Sequence, residues 1–165
     1  MFTEMMMSAG GGGSANSKIQ IITPSSTTAS STMSGGNPTN VNAINTASMW
    51  GANQQTEPKG TWAKLNFDLG AVYDIDHVDI VCGSAAEGTT TFSLKAIQTD
   101  SSYSSAIATS QLDDITVNKT WNAATQGASV ECDFSTRYLQ LQFNTSVSPS
   151  TYNVIVDYVI IWAKM

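Results

Sequence analysis

The chain is 165 residues long and 17.5 kDa, the size of one ordinary domain with a single core. Its 41% apolar residues are enough to build that core without staples, while charged residues make up only 12%, about half the usual share. Seven basic against thirteen acidic side chains give a net charge of -6 and a pI near 4.4, and no basic cluster offers to displace counterions from a phosphate backbone. Nucleic acid is therefore not an expected partner. Ser and Thr supply roughly a quarter of the chain, so the expected surface is rich in hydroxyls and amides.

No apolar run approaches the roughly 20 residues that cross a bilayer, and the first residues lack the layout of a secretory signal. Neither membrane insertion nor classical export is expected. Residues 1–17 combine Phe2, Met5, Met6 and Met7 with Gly10 to Gly13, and glycine loses the most backbone entropy on ordering. This segment reads as a flexible arm that docks into a larger assembly, with a linker or self-packed terminus as the alternative. Gly10 to Gly13 are not a phosphate loop, because no Gly-Lys-Ser/Thr ending follows them.

From Lys18 to Met165 the signals are those of strands, short β-branched or aromatic runs between Gly, Asn, Asp, Ser and Pro clusters. A first strand is expected near Lys18–Ile22. A loop from Thr23 to about Thr61 follows, long enough to be a place for function, and it holds Trp50 and a polar tract with Asn53 and Gln54. Leu65, Phe67 and Leu69 alternate with polar residues as a half-buried strand does, and Leu69-Gly70 is the turn signal expected to end it. Tyr73–Cys82 repeats the pattern, with Val78, Ile80 and Cys82 on one face and His77, Asp79 and Val81 on the other.

Phe92, Leu94 and Ala96 mark the next strand, and Ile115 with Val117 a short one. Val130, Cys132 and Phe134, then Leu139, Leu141 and Phe143, mark two more. Val154–Trp162 is apolar on both faces, as a central strand is, or one whose outer face meets another chain. The sum is an all-β fold, an antiparallel β-sandwich jelly roll of about eight strands preceded by the arm. Cys82 and Cys132 are expected as free buried thiols, although two sandwich strands could bring them together.

Catalysis has no visible machinery. The one histidine, His77, starts a strand with no Ser or Cys partner, and Asp113 and Asp114 read as a solvated turn. His77 lies among Asp74, Asp76 and Asp79, but strand alternation sends Asp76 and His77 to opposite faces, so no metal site is expected. Trp62 reads as core. Trp50 reads as either a core residue or a flat platform under a sugar, since an indole offers an apolar face and one N–H donor. Tyr103 and Trp121 fall in predicted loops, and Tyr152 with Asn153 precedes the last strand; together with Trp50, Asn53 and Gln54 they form the expected ligand-binding set.

The run Asn45 to Trp50, then Gly60-Thr61-Trp62-Ala63-Lys64-Leu65-Asn66-Phe67-Asp68-Leu69-Gly70, then Tyr73 to Ile80, resembles the discoidin or coagulation-factor type C family. Arg137 to Phe143 is similar to a later strand of that family and Val154 to Trp162 to its closing strand, so the likeness runs from about Lys18 to Lys164. It implies a galactose-binding-domain-like jelly roll for residues 18–165, in which sugar-binding relatives hold their ligand on loops at one end. Gly83-Ser84-Ala85-Ala86 stands where many galactose binders present Arg, and Ala43-Ile44-Asn45 where many relatives have the Asp-Gly turn of a structural calcium. Neither galactose itself nor any cofactor is therefore expected.

The arm resembles the Met- and Gly-rich leads of small phage tail and head proteins. The expectation is thus a non-catalytic virion-associated module, made in the host cytoplasm, that binds host-surface carbohydrate through rim loops and joins other virion proteins through its arm, in an oligomer or larger assembly. The alternative is a capsid or tail decoration protein that binds no glycan.

Overall fold

The computed structural model describes residues 18–32, 36–44, 50–51, 61–82, 88–119, 126–147 and 155–165. Eight strands follow one another: β1 (Ile19–Ile22), β2 (Ser26–Ala29), β3 (Trp50–Gly51), β4 (Ala63–Cys82), β5 (Gly88–Thr99), β6 (Ala106–Lys119), β7 (Gln126–Val147) and β8 (Ile155–Lys164). A short 3-10 helix, Pro38–Asn42, stands between β2 and β3. The strands pair antiparallel in the order β1-β8-β4-β7-β5-β6, with β2 added to β4 and β3 added to β8.

Two long strands turn this one ladder into a sandwich. The sequence leads one to expect a break at Leu69-Gly70, and β4 instead runs through it for 20 residues. Gly70, at φ +83, bends the strand where a side chain would be strained. Residues 70–72 are exposed at the corner, and the register against β7 slips between Asp68 and Tyr73. The first half of β4 pairs β2 and the second half of β7, while its second half pairs β8 and the first half of β7. Likewise the two strands expected around Cys132 and Leu141 are one 22-residue strand, β7. Each long strand thereby contributes to both layers, and the apolar side of each half faces the same interior.

That interior is the set the alternation marks. Leu65, Phe67, Ile75, Val78 and Ile80 of β4 meet Leu139, Leu141 and Phe143 of β7, Leu94 of β5 and Ile161 of β8 in one continuous cluster. Each fully buried aliphatic or aromatic side chain contributes about 1.5–3 kcal/mol by leaving water.

The long loop after β1 has structure of its own. Asn37 caps the 3-10 helix by accepting the Thr39 N–H at 3.0 Å, Pro38 fits the first turn, and Val41 is buried. Two further expectations change. Trp62 is half-buried, not core, with Lys95 Nζ 4.0 Å from its ring centroid. Asp113 and Asp114 lie within β6 at an exposed register slip, where Asp114 takes φ 55, rather than in a turn between elements. Cys132 is a free buried thiol, as expected, and burial, then the Glu131 charge, pushes it up to about 12. The arm, including Phe2, Met5, Met6 and Met7, lies outside the described residues.

Candidate functional site

At one end of the sandwich the strand ends that carry most of the predicted ligand set come together. Gly51 pairs Ile155, Cys82 pairs both Gln126 and Val156, and Gly88 pairs Lys119. From these ends depart residues 52–60, 83–87, 120–125 and 148–154, which hold Asn53, Gln54, Trp121, Tyr152 and Asn153 and lie outside the described residues. The antiparallel register alone thus joins four connections that are distant in sequence.

Trp50 is the foundation of this end and not its platform. Its indole is wholly buried, packs on Phe143 with ring centroids 6.0 Å apart, and donates Nε1–H to the Ser31 carbonyl at 3.0 Å. With its faces in the core and its one donor satisfied, it has nothing left for a sugar. The core reading of Trp50 stands, and the stacking reading is corrected.

Tyr103 lies elsewhere. It follows β5 in a turn beside Thr99, which pairs Tyr138, and Tyr138 pairs Asp68, so it sits at the opposite end of the sandwich from Gly51 and Gly88. Asp100 accepts the Ser102 N–H at 2.9 Å and the Ser102 hydroxyl at 2.6 Å; these bonds hold its carboxyl below the usual range. The turn is completed by the Tyr103 N–H on the Asp100 carbonyl, with Tyr103 at φ 55. Its ring stands edge-on to Tyr138 at 5.8 Å, and burial, then the Asp68 charge, pushes the phenol up to about 12. Arg137 grips Asp68 with two bonds of 2.8 and 3.0 Å beside Tyr138. The two described members of the predicted set, Trp50 and Tyr103, therefore lie at opposite ends of the sandwich.

A third region escaped sequence reasoning. On the outer face of the β8–β4–β7 layer, Asp79, Val81, Gly127, Ser129, Tyr158 and Ile160 line an open depression of about 390 Å³. Beside it His77 stacks on Trp162, centroids 5.5 Å apart and planes 22° off parallel. Trp162 donates Nε1–H to Asp79 Oδ2 at 2.8 Å. The one available signal was the double-sided hydrophobicity of the last strand, whose outer residues Tyr158, Ile160 and Trp162 are half-buried here.

Contrary to strict alternation, Asp76 and His77 share this outer side. The register of β4 slips against both neighbours between Ile75 and His77, and a bulge of this kind lets two consecutive side chains face the same way. His77 Nδ1 lies 2.7 Å from Asp76 Oδ2 and Nε2 lies 3.6 Å from Asp79 Oδ2. Among the described residues, Asp76, His77 and Glu131 bring donor atoms within 4.8 Å of one another.

No protein-family model and no curated protein matches the sequence. Solved structures do match in fold. A family 32 carbohydrate-binding module of Clostridium perfringens NanJ, in complex with galactose, superposes with a TM-score of 0.60 at 11% identity, over 88% of this chain and 99% of that one. A Clostridium perfringens module in complex with GalNAc-beta-1,3-galactose gives 0.61 at 9% identity, over 86% and 99%. The family 32 module of AlyQ, in complex with 4,5-unsaturated mannuronic acid, gives 0.59 at 21% identity, over 86% and 97%. The chain thus has the jelly-roll sandwich fold of these modules.

Proposed function

We propose that the chain is a non-catalytic carbohydrate-binding module whose ligand site is the loop end of the sandwich. The observation that carries this reading is the meeting of the strand ends at Gly51, Cys82, Gly88, Gln126 and Ile155, because the connections leaving them hold two aromatic residues and three amides of the predicted set. Rings that cover a sugar's C–H face and amides that bind its hydroxyls suit a neutral or weakly charged glycan. The low charge of the chain and its fold likeness to modules solved with galactose and with GalNAc-beta-1,3-galactose support the same ligand class.

A glycan array followed by calorimetry tests it. Trp121→Ala and Tyr152→Ala are expected to weaken the best glycan at least about 10-fold, as removal of a central aromatic anchor does, while Tyr103→Ala at the far end leaves affinity unchanged. Loss of binding in Tyr103→Ala with retention in the other two would reverse the assignment.

The Gly/Met composition of residues 1–17 supports a further part of the proposal, attachment of the module to a larger assembly, a virion, through Phe2, Met5, Met6 and Met7. A decoration protein without glycan binding is the second reading. It is favoured by β1, an edge strand that exposes Ile19 at 43% and Ile21 at 49%, an arrangement suited to packing against another chain. Indifference to every glycan on the array would leave this second reading.

A further inference from the structure

We propose that Asp76, His77 and Glu131 bind one divalent cation of the zinc class on the outer face of the sandwich, away from the loop end. His77 is the one histidine of the chain. The β4 bulge turns it to the same side as Asp76, and its direct partner across the β4–β7 ladder is Glu131. Three donors therefore come from two adjacent strands rather than from mobile loops, which fixes their roots. A tetrahedral ion about 2.1 Å from each donor spaces its ligands about 3.4 Å apart. The three donor atoms lie within 4.8 Å of one another; the Asp76–His77 pair, 2.7 Å apart, opens to admit the ion, and Glu131, the exposed member on a flexible stem, closes on it.

The imidazole is held for ligation from its other side. Trp162, its partner across the β4–β8 ladder, stacks on one face of the ring. Asp79 faces Nε2 at 3.6 Å and is itself fixed by the Trp162 N–H. The 2.7 Å contact between Nδ1 and Asp76 Oδ2 holds a proton; a bound ion takes the place of that proton, and the remaining ring proton on Nε2 then faces Asp79. Ligating histidines are commonly oriented this way by an outer carboxylate. Two carboxylates balance the charge of a divalent ion, and a mixed imidazole and carboxylate set suits zinc better than calcium, which takes six to eight oxygens. Asp76 and His77 remain 29% and 19% exposed, which leaves the outward coordination position to water.

The alternative is a plain His77–Asp76 ion pair, and one experiment separates the two. The full chain, made without a histidine tag and stripped with a chelator, is titrated with zinc ion by calorimetry and by nitrogen-15 NMR of its single imidazole. Saturable binding of one ion per chain is expected, with a shift of the His77 ring nitrogens. His77→Asn abolishes both, and Asp79→Asn weakens binding about 10- to 100-fold, the usual cost of losing the outer carboxylate. Glu131→Gln, at an exposed position, keeps the fold and weakens binding. Absence of heat and shift in the wild type, or equal zinc affinity in wild type and Glu131→Gln, overturns the site. The result does not depend on whether a glycan binds.

Discussion

Phe67 and Leu141 lie on adjacent strands and are wholly buried. Truncating either to Ala removes the transfer energy of the lost carbons and leaves a cavity that two pleated layers cannot close. Each is expected to lose about 2–5 kcal/mol in urea unfolding, and wild-type midpoints in both would mean that the inward face is misassigned. Asp68 presents a different kind of residue. The Arg137 guanidinium, then the Gly70 N–H, holds its carboxyl below the ordinary 3.8. Because the folded value is the lower one, ionised Asp68 adds stability at pH above the unfolded value, and that stability fades as pH falls through the folded value. The pair is exposed and its effect small, so the sign is the test. Asp68→Asn should melt below wild type at pH 6, and the gap should close toward pH 2. A gap that persists in acid would mean that shape, not charge, is what Asn fails to supply.

Elements show where sequence reading stops. Alternation identified the buried side of β4, β5 and β7, because period two follows from the pleat itself, whereas β2 and β3 fall inside the expected Thr23–Thr61 loop and β8 reads as apolar on both faces. It did not show that Leu65–Leu69 and Tyr73–Ile80 are one strand, since a bent strand and two strands joined by a turn alternate alike. Pairing with β7, some sixty residues away, settles the matter. The extra residue at Asp76 was equally hidden, and with it the convergence of Asp76, His77 and Glu131. Close approach of β4 and β7 is also invisible locally. A Cβ on Gly127 would stand 2.8 Å from the Ile80 carbonyl oxygen, and a backbone atom within a ladder has little freedom to retreat. Gly127→Ala is therefore expected to cost about 1–3 kcal/mol, as overpacking does, measured by urea unfolding. An unchanged midpoint would show slack between these strands. Gly70→Ala meets only Ser25 at 3.7 Å, so its cost is the left-handed backbone, about 1–2 kcal/mol.

For the whole molecule, the fold was legible in the sequence and the role of individual members of the proposed ligand set was not. Trp50 illustrates the difference: its burial depends on Phe143 and Ser31, partners that no local pattern names. The boundary between arm and domain is testable on the same grounds. Lys18, the last residue before β1, accepts the Met165 N–H at 2.8 Å, and Ile19 to Ile22 pair Lys164 back to Ile161 along β8. The two ends of the described domain are thus zipped together by backbone bonds that need nothing from residues 1–17. Deleting residues 1–15 should leave the melting temperature and the far-ultraviolet spectrum unchanged while removing incorporation into the assembly the arm is proposed to join. If the deletion lowers the melting temperature by several degrees, about 1 kcal/mol or more for a domain of this size, the arm packs on the sandwich. Its methionines would then belong to the core and not to a partner.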